Sequence, residues 1–387
     1  MGLLANTVSV AQFAVNGKPP QKDFAVWAEH GLSRFCFRAI DETTDEESQG
    51  WVTLDDNLSA DFGNHYSFLR DHYLVATLRR DRRKPPAFLL RRLFARECEQ
   101  WLQAHPGQQR VPTQARLEIR DRVTFELRAR TLPTPTTIDL VWNLERGLVT
   151  ATTTAAKSMD LIQDEFAKTF PGLTLTALHP AARAKRVADK KLHRALDEAN
   201  PAFDQDVATQ LKANRWIGND LLLWLMHRTR HSDSAYEVGQ PGPAAAGDAF
   251  IAYVNDRLVF QDEDEHGVRK SAFTGHLKDF AEARKAAQVG KQPTEATLHF
   301  EKGELAWKLT LKAESFAFAS YKCPGVRIEK DETTDPAAER DAVFFERLHL
   351  LETGIQLFDS LLAVFITARM GEDWEKTMRA IRRTLGE

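Results

Sequence analysis

At 387 residues, 43% hydrophobic and 28% charged, the chain is long enough for two domains of ordinary size and has the composition of a globular protein rather than a disordered or fibrous one. With 52 Lys and Arg against 55 Asp and Glu the formal charge is −3, and a pI near 6.5 does not by itself indicate a nucleic-acid binder, so local charge has to carry any such role. No uninterrupted apolar run reaches the ~18 residues of a bilayer span, the N-terminus has no basic stretch before a long apolar one, and Cys36, Cys98 and Cys323 form no C-x-x-C pair, so the expectation is a cytoplasmic protein without membrane insertion, disulfide framework, metal or cofactor.

Residues 3–15 alternate loosely and predict a strand, broken at Gly17-Lys18-Pro19-Pro20 and followed by a short helix around Phe24, Trp27 and Ala28. Residues 33–38 alternate again and predict a second strand. The stretch 41–61 holds eight acids and no base, with the apolar island Gly50-Trp51-Val52-Thr53-Leu54 expected to pin it to the core. Residues 66–78 are the best strand candidate, because Tyr73 to Leu78 is apolar on both faces, as in a covered central strand. Pro85-Pro86 then opens a helix whose Leu90, Leu93, Phe94, Cys98, Trp101 and Leu102 form a stripe expected to be buried, with Arg91, Arg92 and Arg96 on the other side. Pro112 opens a second helix with Arg116, Arg120 and Arg128 on one drifting face. Glu118–Arg122 and Glu126–Arg130 are spaced as i,i+4 pairs, each worth roughly 0.2–0.5 kcal/mol.

A hairpin over 138–142 and 148–153, a helix over 155–170 and a strand over 173–178 complete a first α+β domain, 1–180. A basic helical linker is expected over 181–215. The second α+β domain, 216–387, opens on the apolar stretch 216–226. Strands at 249–254 and 258–260, a helix over 275–287 and a three-stranded meander over 294–321 follow. Phe344, Leu348, Leu351, Ile355, Phe358, Leu362 and Phe365 repeat every 3.5 residues and predict a long closing helix, packed on the sheet or in part on a second subunit. The fold class is therefore α+β, two domains with antiparallel sheets and packed helices.

The charge distribution stands out within this frame. Residues 70–130 hold 15 Lys and Arg, 14 of them Arg, against 7 Asp and Glu, a surplus of eight in a chain that is net negative. Arginine grips phosphate bidentately, the charges come from three successive elements, and local acids match fewer than half of them. Such a surface binds phosphate backbones without reading bases. The competing reading is a solvated charged face. No P-loop, G-x-G-x-x-G, G-x-S-x-G or H-E-x-x-H occurs, and no catalytic motif stands out. His227 and His231 share a helix face without a third ligand at spacing, and the acids at 262–265 read as a charged hairpin tip.

Gly50-Trp51-Val52, the strand running into Arg83-Lys84-Pro85-Pro86, the turn over 128–133, the 138–149 hairpin, Phe170-Pro171-Gly172-Leu173 and Gly290-Lys291-Gln292-Pro293 together resemble the recombination-associated protein RdgC family, in its longer version. The resemblance implies a ring-forming homodimer that is nucleoid-associated, binds mostly duplex DNA without sequence preference and limits RecA-dependent strand exchange, with no catalysis. It places Arg82, Arg83 and Lys84, and Arg128 and Arg130, at the family's basic positions. With the residue-level reading, the DNA-contact candidates are Arg79, Arg80, Arg82, Arg83, Lys84, Arg91, Arg92, Arg116, Arg120, Arg128, Arg130 and Lys291. The alternatives are a metal-dependent nuclease using acids at 41–61 or 262–265, and an interaction module using the heptad seam.

Overall fold

The structure is a computed structural model that describes residues 2–43, 45–200, 209, 213–231, 234–264, 267–275, 281–327 and 335–386, with the backbone alone at 263, 264, 336 and 384–386. It is mixed α and β, built on antiparallel sheet. Two compact units are present, neither of them a single stretch. One comprises Met1–Val15, Leu148–Asp160 and Leu175–Glu387; the other comprises Asn16–Gly147 and Leu161–Thr174. The boundaries expected at 180 and 216 do not mark these units. The reason lies in β1 (Thr7–Asn16), which pairs antiparallel with β13 (Ala317–Lys322) across more than 300 residues of chain and so draws the N-terminus into the C-terminal unit.

In the second unit, β4 (Tyr73–Arg82) is the central strand, flanked by β2 (Glu47–Val52) and β5 (Thr134–Asn143), with the short β3 (Leu69–Arg70) also paired to it. Tyr73 to Leu78 are all buried, as the two-sided apolar run requires. The 33–38 strand is not formed: α1 (Phe24–Arg34) runs into it, and Cys36 makes one isolated bridge to Trp51. The backbone there passes so close that a Cβ on Gly50 would stand 2.5 Å from the Phe37 nitrogen, so only glycine fits. Trp51 is buried and donates to Thr169 Oγ1 at 2.7 Å, which anchors β2 to the end of α4 (Ala156–Thr169). Two helices, α2 (Ala87–Ala104) and α3 (Thr113–Ala129), pack on each other as a hairpin.

In the first unit the strands follow the order β10-β9-β11-β12-β13-β1-β6, with β8 on β9 and β7 on β1. They are β6 (Leu148–Ala151), β7 (Thr174–Ala177), β8 (Ala235–Glu237), β9 (Ala249–Asp264), β10 (Gly267–Thr274), β11 (Gln292–Lys302) and β12 (Leu305–Lys312). The two strands expected over 249–260 are one. Asp256, at φ 65, marks an irregularity in the register with β11 rather than a turn. The basic stretch after 180 is not a linker. It folds as α5 (Pro180–Val187) and α6 (His193–Glu198), and Arg183 is buried, donating to Asp359 Oδ1 at 2.6 Å and Gln12 Oε1 at 2.9 Å. Residues 201–208 and 210–212 of that stretch lie outside the described residues, as do 276–280 of the expected helix, of which α8 (Ala281–Gln288) is formed.

After α7 (Arg215–His231), the closing helices are α9 (Pro336–Met370) and α10 (Trp374–Gly386). All seven heptad residues are buried, and Leu350, Leu357, Leu361 and Ile366 are buried beside them. A helix covered over so much of its girth is a core helix. None of the seven side chains is left to meet a second subunit, which removes the seam as an interaction surface. By length and composition α9 would also pass for a membrane span, contrary to the expectation from uninterrupted apolar runs; its apolar window is mostly buried inside the protein. Trp307 and Tyr321 donate to the carbonyls of Leu350 and Leu351 at 2.8 and 2.9 Å, seating α9 on the sheet.

Candidate nucleic-acid interface

The basic segment divides in two where β4 ends. On the strand, nearly every arginine has an internal partner. Arg79 forms a fork with buried Asp81 (Nε to Oδ1 2.8 Å, NH2 to Oδ2 2.7 Å), and that carboxylate raises its pKa above the ordinary arginine value. Arg80 and Arg82 share Glu47, Arg82 at 2.9 Å. The antiparallel register makes this unavoidable, since Glu47 lies directly opposite Arg82. Arg70 pairs with Asp55 and Arg128 with Glu46. Glu46, Glu47 and Asp55 of the acidic stretch thus partner Arg128, Arg80, Arg82 and Arg70, with Glu47 alone serving two of them.

Arg83 is buried. Its guanidinium donates to the carbonyls of Thr131 (2.8 Å), Ile40 (2.6 Å), Asp41 (3.0 Å) and Thr43 (3.0 Å). It ties the 40–43 loop to the end of α3, and burial keeps it from a phosphate even though its Nε–H has no partner among the described residues. Among the contact candidates Arg83 is corrected to an internal structural role; Arg79, Arg80 and Arg128 are half-buried in ion pairs, and Arg82 is exposed beside Glu47. Lys291 belongs to the other unit, half-buried, with its ammonium on Ser271 Oγ at 2.8 Å.

The hairpin is different. Lys84, Arg91, Arg92, Arg96, Arg110, Arg116, Arg120 and Arg130 are all exposed, and among the described residues none has a carboxylate partner. Neither expected i,i+4 pair forms within α3; Arg122 instead reaches across to Glu97 on α2 at 2.6 Å. The stripe of α2 is not buried either: no residue of that helix is, and its main packing partner is α3. In α3 only Ile119 and Val123 are buried, while Phe88, Leu89, Leu117 and Phe125 are exposed. Between the helices lies a groove of about 310 Å³ floored by Leu90, Phe94 and Leu117 and rimmed by Arg91, Arg116 and Arg120. Arg116 sits over the Phe94 ring, 5.3 Å from its centroid.

The structure thus brings Arg91, Arg116 and Arg120 together. It does not bring Arg92 to them, since one residue along a helix turns the side chain about 100° away. Arg91 lies on the apolar side of α2 and not opposite it as expected. Arg96 and Arg110 were outside the contact candidates; both are exposed without a carboxylate partner among the described residues, Arg96 despite Glu99 three residues on. The rings of His227 and His231 lie 4.9 Å apart, and burial, His231 and Arg228 lower the His227 pKa. Among the described residues no group of three or more His, Cys, Asp or Glu is placed to hold a metal. Of the acids at 262–265, Asp262 is half-buried on β9 and the other side chains lie outside the described residues. No family model matches the chain, and no curated protein matches it.

Proposed function

We propose that this chain is an RdgC-like, non-sequence-specific binder of duplex DNA, and that the α2–α3 hairpin is the part that meets the phosphate backbone. The observation that carries this reading is the set of eight exposed Lys and Arg side chains from Lys84 to Arg130 with no acid partner among the described residues. Exposed arginine without a carboxylate partner can approach a polyanion without first breaking an ion pair. Each phosphate neutralised releases condensed counterions, which supplies affinity without base readout. On this reading the protein works as a ring-forming homodimer in the cytoplasm at the nucleoid. It occupies DNA and thereby limits RecA-dependent strand exchange, with no chemical step.

The test is retention of a labelled duplex by the purified protein across a salt series, with Mg²⁺ or Mn²⁺ added in a parallel arm. Log affinity should fall linearly with log salt, with a slope near −0.9 for each phosphate contact, and the duplex should stay intact. No retention at low salt, or shortened duplex with the metal, overturns the reading.

A further inference from the structure

We propose that the groove between α2 and α3 docks an acidic peptide segment carrying an apolar side chain. The floor and the rim make separate demands. Leu90 and Phe94 are half-buried, with Arg116 over the Phe94 ring, and Leu117 is 50% exposed, so the floor keeps apolar surface in water. Apolar area left in water is a standing gain for whatever covers it. Arg91, Arg116 and Arg120 surround that floor, exposed and without carboxylates of their own. A groove of about 310 Å³ is at the small end of ligand pockets, roughly 300–1,000 Å³, enough for one side chain and its flanking backbone.

Charge complementarity selects the occupant. A second copy laid on the same groove about a two-fold axis would bring three guanidiniums against their equivalents, which like-charge repulsion opposes. A duplex satisfies the guanidiniums but leaves the floor wet. A peptide with carboxylates on either side of a leucine or phenylalanine satisfies both at once. It shares three arginines with the proposed DNA surface, so peptide and duplex exclude one another there; binding measured without DNA stands independently of the DNA reading.

The probe is a fluorescein-labelled peptide, Glu-Asp-Asp-Leu-Asp-Phe-Asp-Glu, titrated with the full chain and read by anisotropy. Saturable binding is expected, weakened about tenfold by Leu117→Ser and by replacing the peptide's Leu and Phe with Ser, as loss of one buried apolar side chain predicts. Phe88→Ser, an exposed apolar position outside the groove, should leave it unchanged. Leu117→Ser should retain duplex binding, which separates the two readings. The proposal is overturned if the peptide does not saturate, if the apolar-free peptide or Leu117→Ser binds equally well, or if Leu117→Ser abolishes self-association while peptide binding is nil, which would make a second copy the occupant.

Discussion

At the end of β4, Arg79 lies in a fork with Asp81, Arg80 and Arg82 share Glu47, and Arg83 holds four backbone carbonyls; in the hairpin that follows, Arg91, Arg92, Arg96 and Arg120 stand in water with no carboxylate partner. The residue type is the same and the sequence distance is short. What differs is the neighbour that topology supplies. A strand has another strand beside it, and here the neighbour carries Glu47 at the facing position. The helices of the hairpin pack chiefly on each other, and it is Arg128, at the end of α3, that reaches Glu46. Arginine count therefore reports how much charge is present, while the register of the surrounding sheet decides which of it is free to meet a ligand.

The comparison extends to apolar residues, where the effects are largest. Leu74→Ala, in a fully buried site on β4, should cost about 3–5 kcal/mol in urea unfolding, whereas Leu117→Ser on the hairpin should stay within about 0.5 kcal/mol. Equal costs would mean the hairpin packs against more than is described. Arg83→Ala leaves four carbonyls without a charged donor and should cost roughly 3 kcal/mol, unrescued by lysine, while Arg120→Ala should be near neutral.

A buried basic group without an acid sharpens the contrast further. His179 accepts from the Ala182 N–H at the start of α5, and burial lowers its pKa. Its folded pKa lies below the unfolded value of about 6.5, so the unfolded chain binds the proton first. Stability should be intact above that pH and decline as pH falls through it, and the urea midpoint of His179→Gln should depend less on pH between 7.5 and 5.5. The smallest effect is expected from Arg122→Ala: its ion pair with Glu97 is largely solvated, and the loss should stay below about 0.5 kcal/mol.

Sequence patterning reached the elements whose cause is local. The two-sided apolar run at Tyr73 to Leu78, the helix after Pro85-Pro86 and the buried face of α9 all follow from spacing alone. Periodicity identifies the apolar face of α2, but nothing in it says whether a sheet lies underneath, and no residue of the helix is buried. The partners of Arg80, Arg82 and Arg128 are Glu47 and Glu46, tens of residues upstream, beyond any helical spacing rule. The division of the chain depended on one long-range pairing, β1 with β13, which local composition does not encode. At the candidate site, the unpaired arginines of the hairpin were legible as charge. The groove they surround was not, because Leu117 stands apart from the spacing pattern of its helix.

The most direct test of the account compares salt dependence of duplex binding for wild type, Arg91→Ala/Arg92→Ala/Arg116→Ala/Arg120→Ala and Arg80→Ala. The account predicts that the hairpin variant loses about 0.9 of log–log slope for each phosphate contact removed, while Arg80→Ala, whose guanidinium is held in an ion pair with Glu47, stays close to wild type. A hairpin variant with the wild-type slope, or a slope change as large in Arg80→Ala, would contradict it.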